Sequence, residues 1–227
     1  MINFRRLTPC LLLAFVLAAL WSCESEDYET GDGELSHVRA DFAMADTDGE
    51  SAFYKAETDD GVKLTFSNPT PCKWASVADS TYRALVYYNN KVEDGKVHAV
   101  GFMQVLTVSP MSPDKLKTVA TDPVICESVW LSKDATFLNL GLFLKMGTPE
   151  GEYTGHNVGM VRDSVVTAPS GQRTHFFTFY HAQNDVPEYY SSRLWMSIRL
   201  SGVAASDSIL LRINTYEGMT ERKLCVE

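Results

Sequence analysis

The chain has 227 residues, 20 Lys and Arg against 29 Asp and Glu, a formal net charge of −9, and 45% hydrophobic residues. That apolar content supports packed cores and excludes a chain disordered throughout. The negative balance excludes phosphate backbones as natural partners, so no nucleic-acid ligand is expected.

In chain order, Arg5 and Arg6 supply a positive start, and the apolar run Leu11 to Trp21 follows, ending in Leu20-Trp21-Ser22-Cys23. A membrane-spanning helix needs about 20 apolar residues, so the run is too short to span. Residues 1–22 are therefore expected to be a signal peptide. The Leu, Ser and Cys around its end resemble the lipobox of bacterial lipoproteins. That resemblance implies lipid attachment at Cys23 and a membrane held through the lipid anchor. Each buried CH₂ of such acyl chains contributes about 0.8 kcal/mol, so two or three chains anchor a protein durably. A soluble secreted protein cleaved nearby is the alternative.

Residues 23–34 are acidic and nearly free of aliphatics, with Glu24, Glu26, Asp27 and Glu29 just after the cysteine. This composition predicts a disordered tether. It resembles the acidic tract that Bacteroidota lipoproteins use for surface export, implying an outer-membrane protein facing the cell exterior. A plain solvated spacer is the compatible alternative. Loss of residues 1–22 removes two basic side chains and no acidic one, leaving a mature net charge of −11.

From Leu35 onward the apolar period is two. Strand expectations fall at 37–42, 51–57, 62–66, 81–88, 96–108, 124–131, 136–145, 157–167, 173–181, 194–200 and 209–213, divided by Gly, Asn, Asp and Pro clusters. Residues 82–106 read as a hairpin with a loop of several residues around Asn89 to Gly95. Pro110, Pro113 and Pro123 punctuate the next segment, and Ser112-Pro113 reads as the capped start of one helical turn. The expectation is an all-β chain: a small barrel over 35–110, a hinge-like linker over 111–120, and an antiparallel sandwich over 121–227. The run Thr136 to Leu144 is apolar on both faces, as only a central strand tolerates.

Three stretches carry a family resemblance. Tyr82-Arg83-Ala84-Leu85-Val86-Tyr87-Tyr88 resembles a hairpin motif of the N-terminal OB domain of NigD-like lipoproteins of Bacteroidota. Trp130 to Leu140 and His175-Phe176-Phe177-Thr178-Phe179-Tyr180-His181 resemble signatures of that family's C-terminal β-sandwich. The resemblance implies an OB-like barrel followed by a sandwich. The family takes its name from a bacteriocin gene cluster, which prompted a suggestion of immunity; most members have no established role, and the family supplies no catalytic residues to carry over.

Among residues that could bear chemistry, Ser112-Pro113-Asp114-Lys115 matches the SxxK of serine acylases but lacks their partner motifs, so a capped turn is expected. His175 and His181 share a strand about 20 Å apart, too far to bind one metal ion, and are read as core-capping or loop-bonding imidazoles. Asp46-Thr47-Asp48-Gly49-Glu50 and Asp59-Asp60-Gly61 begin like calcium loops but lack the terminal Glu, which favours hairpin turns. Cys72, Cys126 and Cys225 allow one disulfide, of which Cys126 with Cys225 is the most plausible, or buried free thiols. The loop Asp185 to Ser192, with Tyr189 and Tyr190, has a composition suited to protein contact or to packing over the sandwich end. No catalytic, cofactor or metal residues are assigned. The reading is a non-enzymatic envelope lipoprotein that binds a protein or glycan ligand. A bacteriocin-immunity role is the alternative, and an extracellular hydrolase stands third.

Overall fold

The computed structural model describes residues 37–148 and 155–226; the expected signal peptide, Cys23 and the acidic tether lie outside them. Five strands form a closed barrel: β1 (Val38–Thr47), β2 (Ala52–Thr58), β3 (Lys63–Pro71), β4 (Thr81–Glu93) and β5 (Lys96–Gln104), in the order β1-β2-β3-β5-β4. β3 and β5 meet in parallel at Phe66 and Val97, and the other adjoining pairs given a register are antiparallel. Inward positions mix small and large residues. Ala43, Ala45, Ala56, Ala84 and Ala99 leave room for Phe53, Phe66 and Tyr88, as the narrow interior of a small barrel requires. Phe53 stacks on Phe102 at 4.4 Å. The Tyr88 hydroxyl donates to Asp41 at 2.6 Å, and burial together with that carboxylate pushes its pKa up to about 12.

The expected multi-residue loop of the 82–106 hairpin is shorter in fact. Glu93 pairs with Lys96 across Asp94 and Gly95, whose φ values of 50° and 75° are those of a two-residue mirror-image turn.

The single strand expected over 96–108 breaks at Val105. β5 stays in the barrel, while β6 (Leu106–Val108) pairs in parallel with β11 (Tyr190–Arg199) in a second architecture. That architecture has two four-stranded sheets. One runs β6-β11-β8-β7, with β7 (Ile125–Leu131) and β8 (Phe137–Met146). The other runs β13-β12-β10-β9, with β9 (Asn157–Thr167), β10 (Arg173–Ala182), β12 (Ser208–Thr215) and β13 (Gly218–Cys225). Leu138, Leu140, Leu142, Phe177, Phe179, Met196, Ile198, Ile209 and Leu211 fill the space between the sheets. β13 escapes the period-two pattern because it is an edge strand, Glu221-Arg222-Lys223 being exposed; charge on an edge discourages pairing with other chains.

The linker is not the expected hinge. Met111 donates to Met160 and accepts from Arg162, each at 2.8 Å, while Asp122 donates to His181 at 2.9 Å and His181 to Ala120 at 3.0 Å. Residues from Arg39 onward form one compact unit by their contacts. The linker is largely exposed, but its two ends are tied to β9 and β10 by these backbone bonds, so a cut within it would not by itself part barrel from sandwich. Limited proteolysis of the mature protein is therefore expected to leave barrel and sandwich in one resistant species. Early cleavage between 110 and 121 into two stable pieces would contradict this.

The three thiols Cys72, Cys126 and Cys225 are free, and Cys225 is exposed rather than buried. The Cys126–Cys225 disulfide is not formed: Cys225 lies opposite Ser208, and Cys126 opposite Leu142.

Candidate functional site

Strand alternation builds the junction between barrel and sandwich. On β4, Ala84, Val86 and Tyr88 point into the barrel, so Arg83 and Leu85 point out of it. On β8 and β11, Leu138, Leu140, Met196 and Ile198 fill the sandwich, so Asn139, Gly141, Trp195 and Ser197 lie on the opposite face. These two outer faces meet. The double-sided apolar character of 136–144 has this cause: one face of β8 belongs to the sandwich core and the other lies against the barrel.

At the centre, Arg83 is 6% exposed. Its Nη1 and Nη2 donate to the two carboxylate oxygens of Asp59 at 2.5 and 2.6 Å. Its Nε donates to Ser197 at 3.0 Å, and Nη2 also donates to Asn139 at 3.0 Å. Asn139 donates in turn to Asp59 at 2.7 Å, and Ser197 donates to Asn139 at 2.7 Å. The guanidinium lies 4.1 Å from the Phe137 ring centroid and 5.4 Å from that of Phe42. Removing these charges from water is costly, and only this dense pairing offsets it. Phe42, Leu85, Val105, Trp130 and Trp195 close over the network, the Phe42 ring standing edge-on to both tryptophans at 5.0 and 5.7 Å. The network is complete within the protein, so it fixes the junction and leaves no group free for a ligand.

Beside it lies a groove of about 480 Å³ where β4, β6 and β11 converge, lined by Trp74, Tyr82, Gln104, Thr107, Arg193 and Trp195 among others. The three rings are partly exposed. Arg193 lies over Phe143 at 4.8 Å and Trp195 at 5.0 Å. Trp195 can lie flat across β8 because position 141 is Gly; a Cβ there would come within 2.5 Å of its ring. A second cleft of about 520 Å³ on the far side is lined by Glu57, Lys133, Asp134 and Phe137 among others. Of its carboxylates, Asp134 is already held by Ser132 and Thr136, and Asp59 by Arg83.

The residues singled out from sequence do not converge. Ser112 bonds the Asp114 carboxylate and caps no backbone N–H of the 3-10 turn Pro113–Lys115, correcting the capped-turn expectation. Asp48 accepts from the N–H groups of Glu50 and Ala52 at 3.0 and 2.9 Å and so serves a turn, while Asp46 accepts from Thr81 at 2.6 Å and pairs with Lys55 across the strands. Asp59 and Asp60 do sit at a tight turn, with Gly61 at φ 81°, but the Asp59 side chain belongs to Arg83. His175 meets Asp207 at 3.0 Å, whereas His181 meets His156 at 2.8 Å and the Asp122 carbonyl at 2.9 Å. Among the described residues no three His, Cys, Asp or Glu side chains form a metal-sized cluster. Tyr189 and Tyr190 are 77% and 57% exposed, and the expected loop ends at Tyr189 because β11 begins at Tyr190.

The histidine pair gives a pH expectation. Burial and the neighbouring His181 hold His156 below its ordinary 6.5. The unfolded chain therefore takes up a proton at a higher pH than the folded one, and stability is lost as pH falls below 6.5. The Ala204 N–H, Arg173 and His175 hold Asp207 well below 3.8, so its contribution is lost only in stronger acid. Melting temperature should fall between pH 7.5 and 5, and His156→Gln should flatten that part of the profile. An unchanged profile in the variant would refute the assignment.

Fold and junction together define a two-part all-β protein, an OB-like closed barrel clamped to a sandwich by a buried polar network. The NigD-like C-terminal beta sandwich domain matches residues 107–225, beginning within β6 and covering just over half of the chain. The chain belongs to the NigD-like family. Among solved structures it is similar to a NigD-like immunity protein from Bacteroides caccae, at 20% identity and a TM-score of 0.59, covering 82% of this chain and 91% of the other. It is similar to a candidate toxin-related protein from Parabacteroides distasonis, at 19% identity and a TM-score of 0.62, covering 82% and 92%. A candidate lipoprotein from Bacteroides fragilis shares 12% identity with a TM-score of 0.52, covering 82% and 96%. At these identities the likeness concerns the fold. No curated protein matches the chain.

Proposed function

We propose that the protein is a non-enzymatic, lipid-anchored binding module of the outer membrane, displayed on the cell surface. In this reading residues 1–22 are the signal peptide, Cys23 carries the lipid, 23–34 are the tether, and the barrel expected over 35–110 ends at Gln104, because β6 at Leu106–Val108 already belongs to the sandwich that continues through 121–227. The observation that carries the binding role is the junction groove. It sets partly exposed aromatic rings beside the exposed Gln104 side chain, which makes no side-chain hydrogen bond among the described residues, a combination typical of small-ligand clefts. The lipobox-like Leu20-Trp21-Ser22-Cys23 and the acidic run behind it support anchoring and display.

One pair of variants tests the placement. Cys23→Ala should abolish palmitate labelling and leave the precursor uncleaved, since lipidation precedes cleavage in this class of signal. Replacing Glu24, Glu26, Asp27 and Glu29 by Ser or Gln should leave labelling and folding intact but remove the protein from antibody access on whole cells. A mere spacer tolerates such neutral replacement. If the neutralised form stays equally accessible, surface display by the tether is wrong. A periplasm-facing role, including an immunity role like the one the Bacteroides caccae relative is named for, then becomes the better reading.

A further inference from the structure

We infer that the junction groove binds an acidic saccharide, with Arg193, backed by Trp195, taking a sugar carboxylate and the rings of Trp74 and Tyr82 taking the apolar sugar faces. This rests on the binding-module reading and names its ligand class. Arg83, though it borders the groove, is fully engaged by Asp59, Ser197 and Asn139. Arg193 is not. Its one ion pair, through Nη2 to Glu127 at 2.7 Å, joins side chains 45% and 39% exposed. Exposed pairs of this kind contribute little because water and salt screen them, so an incoming carboxylate can displace Glu127. The Phe143 and Trp195 rings flank the guanidinium at 4.8 and 5.0 Å, which restricts its motion and favours a two-point carboxylate contact.

Gln104 adds a free amide donor and acceptor, and Thr107 donates to Val105 at 3.1 Å, leaving its oxygen lone pairs able to accept. A wholly apolar ligand would strand these groups without partners. A nucleic-acid strand would bring several phosphates to a groove whose lining holds a single displaceable guanidinium, Arg193, on a protein of net charge −9. A saccharide has both parts required, a CH-rich face for aromatic rings and an edge of hydroxyls for amide and hydroxyl partners. One carboxylate answers the one available guanidinium. The groove's 480 Å³ lies within the roughly 300–1,000 Å³ of small-ligand clefts.

Isothermal titration of the mature chain carrying Cys23→Ser tests this with three probes: trigalacturonate, its methyl ester, and the peptide Glu-Tyr-Glu. Trigalacturonate should bind, and both methyl esterification and Arg193→Gln should weaken binding about tenfold or more. Gln104→Ala should weaken it several-fold, while Tyr189→Ser, outside the groove, should leave it unchanged. Absence of trigalacturonate binding at millimolar concentration overturns the inference. So does equal affinity for the ester, or indifference to Arg193→Gln. Tighter binding of the peptide, lost with Arg193→Gln, would overturn the saccharide assignment while leaving a binding module in place. Failure of the tether experiment on cells would remove the surface placement without touching this result.

Discussion

Replacing Arg83 by Met should destabilise the protein by about 3–5 kcal/mol, the cost of stripping one partner from a buried ion pair. The variant leaves the Asp59 carboxylate, 13% exposed, with Asn139 as its remaining side-chain donor, and it removes donors to Asn139 and Ser197. For a chain of this size the loss corresponds to a fall of roughly 6–20 °C in melting temperature. The double variant Arg83→Met with Asp59→Leu should recover part of it, because two apolar side chains carry no stranded charge. Equilibrium denaturation of the three proteins measures both terms. If Arg83→Met cost less than about 1 kcal/mol, water would have to reach the junction, and the network would not hold barrel to sandwich as argued.

A second large effect is expected at Gly141. A Cβ there would lie 2.5 Å from Ser128 Oγ and 2.5 Å from Trp195 Cζ3. The serine hydroxyl can swing aside, but the indole cannot easily follow. Trp195 is hemmed in by Phe42 at 5.7 Å, Trp130 at 6.3 Å and the Arg193 guanidinium. Crowding a filled site costs typically about 1–3 kcal/mol. Gly141→Ala should therefore lower stability by that order and alter tryptophan emission by shifting the ring that lines the groove. A variant with parental stability and emission would show that the indole has freedom the packing denies it.

Much of the architecture was legible in the sequence because burial on one face imposes a period of two. The strands over 157–167 and 173–181 fall at or within a residue of their places for that reason. β13 was not legible, since an edge strand with exposed Glu221, Arg222 and Lys223 has no buried face to mark it. The change of sheet at Val105 was hidden for the opposite reason: alternation continues through it while the partner strand changes. The junction left a fainter trace. Arg83, Asn139 and Ser197 each interrupt an otherwise apolar stretch, and a polar residue in such a place needs a buried partner. Periodicity flags that need but cannot name the partner, because Arg83 and Ser197 stand 114 residues apart. The Asp59-Asp60-Gly61 turn was readable from local chemistry, yet the side chain of Asp59 answers to a strand 24 residues away.

The handover at Val105 bears on how such proteins could be recombined. A barrel transplanted onto a foreign sandwich would carry Arg83 and Asp59 as a lock without its wards unless Asn139 and Ser197 travelled too. The crossover cannot fall anywhere in the proline-rich stretch that looks like the seam, since β6 already belongs to the second half. Chimeras cut between Gln104 and Leu106, with the four polar residues kept as a matched set, should be the ones that assemble.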